Sequence, residues 1–140
     1  MIVSIALPVL TFFFILVVTL VKPERKGFAT TTAVILNASV SSWAAIRVLT
    51  GNPFDESFYG GIVFENITVQ LDGLSAWFIL LTNFTAITAI LYGVQYLKHH
   101  RSHPANLSLH YSSYLLNHFA LLGLYFIQNS LAFLFLWEVM

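Results

Sequence analysis

The sequence predicts an all-α integral membrane protein with four transmembrane helices, the start of a fifth, and a short extracytoplasmic strand or hairpin. Two observations predict this class. Hydrophobic residues make up 58% of the 140 positions and charged residues only 9%, whereas a soluble domain usually has about a quarter of its residues charged. Apolar segments of roughly 20 residues, the length that a helix needs to cross a bilayer, also recur along the whole chain.

The first apolar segment covers residues 2–21 (IVSIALPVLTFFFILVVTLV) and is followed by the basic sequence KPERK. A signal peptide has the opposite order, with its basic residues before the apolar core, so we predict an uncleaved first span. Further spans are predicted at 28–49, 74–97 and 107–127, and the start of a fifth at 130–140. Residues 1–140 are therefore expected to form a single membrane domain.

The loops between the predicted spans alternate in charge. The loops at 22–27 and 98–106 contain five of the six lysines and arginines, whereas the loop at about 50–72 contains four acidic residues and no basic one. The positive-inside rule then places the first two loops in the cytoplasm, and the N-terminus and the long loop outside, for a multi-pass protein of the cell inner (plasma) membrane. Within the long loop, VFENITVQL at 63–71 alternates apolar and polar residues and predicts a short strand.

Several classes of partner and site are disfavoured. The net charge is zero, which argues against nucleic acid as a partner. The chain has no cysteine, so disulfides and thiolate metal sites are excluded within it. His99, His100 and His103 match no common zinc motif, and beside Lys98 and Arg101 we expect them to contact lipid headgroups rather than a metal. A membrane enzyme that uses these histidines and a metal is the least favoured alternative.

The apolar segment NSLAFLFLWEVM at 129–140 contains a carboxylate, Glu138. At 1.5 Å per residue, Glu138 lies roughly 12–15 Å from the polar QNS turn at 128–130, which is close to the bilayer midplane. A charged carboxylate costs at least about 2.5 kcal/mol at that depth, so we interpret Glu138 as a functional group on a proton path. The alternative is a short amphipathic tail that carries Glu138 at the opposite membrane surface.

His118 lies about ten residues before the same turn and is therefore expected at a similar depth. A neutral imidazole is less costly to bury than a charge, and it can pass a proton through its two nitrogens. A purely structural histidine, hydrogen-bonded to a backbone carbonyl or a serine of a neighbouring helix, is the favoured alternative. Contact between His118 and Glu138 is permitted by the geometry.

Spans two and three also contain polar residues within otherwise apolar sequence. We expect these residues to hydrogen-bond between helices, as polar groups in membrane bundles commonly do. A lining for a water path is the alternative. The residues concerned are Asn37, Ser39, Ser41, Ser42, Asn83, Thr85 and Thr88.

Two motifs carry a family resemblance. LDGLSAWF at 71–78 opens span three, and QNSLAFLFLWEVM at 128–140 opens span five. Together with Tyr92 and Tyr96, they resemble the start of the antiporter-like subunits of complex I, of Mrp-type cation/proton antiporters and of the membrane arm of formate-hydrogenlyase-type hydrogenases. The resemblance covers essentially the whole chain, but only the first third or less of a full family subunit. The motif residues are Asp72, Gly73, Leu74, Ser75, Trp137 and Glu138.

The resemblance implies that Glu138 is an essential proton-path residue, paired with a lysine of a later, broken helix that this chain does not contain. The chain would then be the N-terminal part of a subunit that translocates protons or Na⁺, and it would not be competent alone. It would hold no cofactor and perform no redox catalysis, because partner subunits would carry the flavin, Fe–S or Ni–Fe centres. The alternative is a small scaffold or assembly protein, in which Glu138→Gln would have little effect.

Overall fold

The structure is a computed structural model that describes residues 2–59, 66–100 and 104–140. Over these residues the chain is mostly helical, with one antiparallel hairpin. The helices are α1 (Ile2–Leu20), α2 (Pro23–Leu49), α3 (Gly73–Tyr96), α4 (Pro104–Phe126) and α5 (Ser130–Val139), the strands are β1 (Phe54–Tyr59) and β2 (Asn66–Leu71), and a 3₁₀ turn covers Leu97–His100.

Three of these helices, α1, α2 and α3, are long and apolar enough to cross a membrane. This agrees with the prediction of a helical membrane protein. The helix α4 has 23 residues, which is also long enough for a span. Its first three turns, however, contain Asn106, Ser108, His110, Ser112 and Ser113, and it is not among the candidate spans. The fourth membrane span therefore stays a prediction.

Two helices begin earlier than the sequence predicted, and both begin at a proline. The helix α2 starts at Pro23 instead of residue 28, and α4 starts at Pro104 instead of residue 107. Proline suits the first position of a helix because its φ angle is preset and its missing N–H would have no partner there. As a result the predicted loop at 22–27 is reduced to residues 21–22, and the basic segment forms the first turns of α2.

The helices pack around α2 and α4. The helix α2 contacts α1, α3 and α4, and α4 also contacts α1, α3 and α5. Small residues such as Ala33, Ala38, Ala44 and Ala45 are buried along α2, where they allow close approach of neighbouring helices. One cluster of buried apolar side chains lies at the hairpin end of the bundle and a second lies at the end where α1 joins α2.

The hairpin is attached to the connection between α4 and α5. Its strands pair antiparallel, so the predicted strand over 63–71 is confirmed for Asn66–Leu71, while residues 63–65 lie outside the described part of the chain. The backbone N–H of Gln128 donates to the carbonyl oxygen of Thr68 at 2.9 Å. The hairpin, the start of α1 and the α4–α5 turn therefore lie at the same end of the bundle.

Candidate functional site

A buried polar cluster joins α2, α3 and α4. Asn83 of α3 is 3% exposed, and its amide nitrogen Nδ2 donates to Ser41 Oγ at 2.9 Å and to Ser42 Oγ at 2.8 Å. The same nitrogen lies 3.2 Å from the carbonyl oxygen of Ala38. On its other side, Asn83 Oδ1 lies 3.2 Å from Nε2 of His118, which is 2% exposed. One asparagine thus connects three helices.

The direction of each hydrogen bond in this cluster follows from groups that can only accept. The carbonyl oxygen of Ala38 cannot donate, so the NH₂ group of Asn83 must face it and Oδ1 must face His118. Because Oδ1 also only accepts, Nε2 of His118 carries the hydrogen. In the neutral ring Nδ1 is then an acceptor, and it is buried without a hydrogen-bond partner in the described part of the chain.

A second buried contact continues the cluster toward α1. Asn37 of α2 is fully buried, and its Nδ2 donates to Oγ1 of Thr11 on α1 at 2.8 Å. The hydroxyl of Ser41 donates to the backbone carbonyl of Asn37 at 2.8 Å. Buried polar groups therefore run from α1 through α2 and α3 to α4. The prediction that such residues hydrogen-bond between helices agrees with the structure for Asn37, Ser41, Ser42 and Asn83.

Three of the polar residues predicted to join helices do not do so. Ser39, Thr85 and Thr88 are exposed, and each donates to the backbone carbonyl of the residue four positions earlier in its own helix. This is the usual way in which a hydroxyl is satisfied inside a transmembrane helix. Their hydroxyls therefore carry no interhelical contact.

A groove of about 180 Å³ lies between α3 and α4, and the side chain of His118 forms part of its wall. The other polar residues of the wall are Thr82, Thr85, Tyr114 and Asn117. The hydroxyl of Tyr114 donates to the carbonyl oxygen of Ala86 at 2.7 Å. The groove wall thus contains polar side chains among apolar ones, in the middle of two long helices.

Glu138 lies on the outer face of α5. The buried residues of this helix, Ala132 and Leu136, face α4, and Leu136 lies directly against Gly123 of α4. Glu138 follows Leu136 by two positions, which places it on the opposite side of the helix. The structure therefore gives His118 and Glu138 different surroundings, one inside the polar cluster and one outside the bundle. The outer face of α5 carries Leu131, Leu134, Phe135 and Glu138.

The two motifs behind the family resemblance both begin as helix caps. Oδ1 of Asp72 accepts from the backbone N–H of Ser75 at 2.7 Å at the start of α3. The hydroxyl of Ser75 and, to a lesser extent, this backbone bond hold the pKa of the Asp72 carboxyl below its usual value. Asn129 caps α5 in the same way, because its Oδ1 accepts from the backbone N–H of Ala132 at 3.0 Å. These motif residues thus have a structural function that needs no ligand.

The other motif residues lie on the surface of the chain. Leu74 is 67% exposed and Trp137 is 58% exposed, and a Cβ atom added to Gly73 would contact nothing within 4 Å. The Tyr92 and Tyr96 rings stack on each other with centroids 6.2 Å apart. The Trp137 ring packs edge-on against Phe133 with centroids 5.9 Å apart. Packing within the described chain does not explain the identity of Gly73 or Leu74.

A buried lysine is the main feature that the sequence did not reveal. Lys26, assigned from the sequence to a cytoplasmic loop, is 3% exposed in α2. Its ammonium group donates to the carbonyl oxygen of Pro104 at 3.1 Å and to the hydroxyl of Ser108, both at the start of α4. The available signal was its spacing, since Lys26, Thr30 and Asn37 lie on one buried face of α2. Reading Pro23 as the helix start would have extended that face to Lys26.

The histidine cluster was predicted not to bind metal. His103 lies outside the described residues, and the side chains of His99 and His100 are also outside them. Across the part of the chain that the structure covers, no group of three or more histidine, aspartate or glutamate side chains could hold a metal ion. The metal prediction at these three histidines therefore remains untested.

No protein-family model matches this chain, and no curated protein matches it. The resemblance to antiporter-like subunits thus remains an expectation from the two motifs.

Proposed function

We propose that the chain takes part in the translocation of protons or Na⁺ within the membrane arm of a respiratory or hydrogenase-type redox complex, and that it is not competent alone. Glu138 is the proton-path carboxylate, and His118 is a second protonatable group. The redox partners would carry the Fe–S, flavin or Ni–Fe centres, and this chain would bind none of them. The membrane is the cell inner membrane, with the hairpin and the N-terminus outside. The proposal draws on the two sequence motifs.

The observation that carries the proposal is the position of Glu138. It is the ninth residue of a helix that is otherwise apolar, and it lies on an outer face formed by leucine and phenylalanine side chains. At 1.5 Å per residue it is about 12 Å from the start of α5. A carboxylate at that depth is costly against lipid, so residues of this kind usually pair with another group or face water. Such a cost is tolerated where the group has a function.

The proposed mechanism is electrostatic. Loss of a proton from Glu138 leaves a negative charge that attracts a cationic group on a facing helix. When that cationic group moves away again, protonation of Glu138 is favoured. Because Glu138 faces away from α1–α4, its counter-charge would come from an element that packs against the outer face of α5. The buried cluster around Asn83 would provide a fixed polar core against which such movement takes place.

The test is proton translocation by the native membrane complex that contains this chain. Glu138→Gln keeps the shape of the side chain and removes the titrating group, so translocation should fall at least about 100-fold, as expected for loss of an essential proton-transfer group. Glu138→Asp should retain part of the activity. The matched control is Glu24→Gln, because Glu24 is an exposed carboxylate in the first turn of α2. Full translocation by assembled Glu138→Gln would refute the proposal and favour a scaffold.

A further inference from the structure

An apolar pocket of about 190 Å³ lies at the hairpin end of the bundle and is distinct from the groove beside His118. Its wall is formed by α1, β2, α4 and α5, and the main apolar side chains in it are Val3, Leu7, Val69, Phe119 and Leu136. Protein interiors are close-packed, and a space of this size is much larger than the voids that remain between well-packed side chains. The pocket therefore calls for an occupant.

Water does not suit this pocket. Among the described residues of its wall, Ser4 alone has a polar side chain, and the Ser4 hydroxyl already donates to the carboxylate of Glu56. A buried water needs two to four polar partners, whereas an apolar cavity of about 150 Å³ stays dry and can hold a benzene molecule. The occupant that fits is therefore an apolar group.

The surroundings of the pocket favour access from the membrane. The helices α1 and α5 both pack against α4, and the pocket lies between them. Their neighbouring residues Ile5, Val9 and Phe135 are apolar and more than half exposed. At the hairpin end, Val69 is buried in the wall and forms a β-bridge with Ile127. The hairpin thus covers the outer end, and the cleft between α1 and α5 remains as the approach.

We propose that this pocket binds one acyl chain of a phospholipid from the membrane leaflet on the hairpin side. The chain enters between α1 and α5 and lies against Leu7, Phe119 and Leu136, while the headgroup stays at the membrane surface. A phospholipid is favoured over a soluble apolar molecule because α1 is long and apolar enough to cross the membrane, where acyl chains surround the protein. The inference does not depend on a proton path through Glu138.

A bound chain would complete the packing of α5. Within the described bundle, this helix packs mainly against α4, and its inner face has only the two buried residues Ala132 and Leu136. An acyl chain on the other side of Leu136 would connect α5 to α1. The lipid would thus act as a structural ligand that holds α5 in place.

The test uses cells that express the full-length protein and are grown with a fatty acid that carries a photoactivatable diazirine, which the cells build into their phospholipids. After irradiation of the native membranes, mass spectrometry of the purified and digested protein locates the adducts. Val3→Phe places a larger side chain in the pocket, since Val3 is 2% exposed and lies in the wall. The matched control is Val9→Phe, the same change at a position of α1 that is 59% exposed and outside the wall.

In the wild type we expect phospholipid adducts at Leu7 or Phe119, inside the pocket, and also at Leu16, which is 57% exposed on α1. Val3→Phe should lower the pocket adducts at least about 10-fold relative to those at Leu16, because a filled cavity leaves no room for the chain. Val9→Phe should leave this ratio unchanged.

Adducts at Leu16 without any in the pocket of the wild type would overturn the inference and favour a side chain of a partner subunit as the occupant. Pocket adducts with the mass of a free fatty acid alone would also overturn it. If Val3→Phe does not assemble, Val69→Phe fills the same pocket from the hairpin. Pocket adducts that persist in an assembled filling variant would contradict the proposed site. None of these readouts depends on ion flux, so the site can fail while Glu138 remains essential.

Discussion

Asn83→Leu should destabilise the helix bundle by about 2 kcal/mol. Leucine has the branched shape of asparagine with two methyl groups in place of the amide oxygen and nitrogen, so the change removes the hydrogen bonds and also adds volume to the site. Asn83 contacts four polar partners on two neighbouring helices. Bonds of this kind between transmembrane helices are worth about 0.6 kcal/mol each on average and up to about 1.7 kcal/mol. The serine hydroxyls can turn to carbonyls of their own helix, whereas Nε2–H of His118 loses its acceptor.

The assay is the free energy of unfolding of the purified protein in mixed micelles, followed by helical circular dichroism as a denaturing detergent is added. The control is Thr88→Val, which removes an exposed hydroxyl that bonds only within its own helix, and its stability should change by less than about 0.5 kcal/mol. A double-mutant cycle with His118→Leu should give a coupling of about 0.6–1.7 kcal/mol. If Asn83→Leu is as stable as the wild type, the cluster does not hold the helices together.

Three further predictions concern other positions. Ser75 lowers the pKa of Asp72 in the folded protein below the usual value of 3.8. The ionised carboxylate therefore stabilises the fold fully above pH 3.8, and this stabilisation is lost as the pH falls through the lower pKa of the folded state. In thermal melts, Asp72→Ala should therefore lose less stability on acidification than the wild type. Gly123→Ala would place a Cβ 2.7 Å from Cδ1 of Leu136, but this atom is the end of a flexible side chain that can turn away. Alanine also favours a helix by about 1 kcal/mol over glycine, so the stability in the same unfolding assay should change by less than about 1 kcal/mol; a loss above about 2 kcal/mol would show that the Leu136 side chain cannot move. Lys26→Leu removes a buried cation from the N-terminal, positive end of α4, where a positive charge is electrostatically unfavourable. The free energy of unfolding should therefore change little. A loss above about 3 kcal/mol would instead show that the hydrogen bonds of Lys26 dominate.

The sequence predicted the helices well because each is a long apolar segment between polar connections. The span predicted at 2–21 differs from α1 by one residue at its end, and the span predicted at 74–97 differs from α3 by one residue at each end. The boundaries failed at Pro23 and Pro104, where a basic or polar segment was read as a loop. Hydropathy alone could not place these residues in a helix, because the signal was the proline and not the apolar content.

The polar cluster could be predicted only in part. The sequence identified Asn37, Asn83 and His118 as unusual, since polar side chains within apolar segments need partners. It did not show that Asn83 and His118 meet, because they are far apart in the chain and their contact depends on how two helices are rotated about their axes. The rotation of α5 about its own axis likewise decides that Glu138 lies on the outer face of this helix. The distance of Glu138 from the start of the helix does not reveal which face it is on.

Whether Glu138 changes its protonation state during turnover is the most direct test of the central claim. Infrared difference spectroscopy of the active native complex would compare wild type with Glu138→Gln in the region of the carboxyl C=O stretch. The account predicts a carboxyl band that appears or disappears with turnover in the wild type and is missing in the variant, while the variant complex remains assembled. Identical difference spectra for the two proteins would contradict a proton path through Glu138.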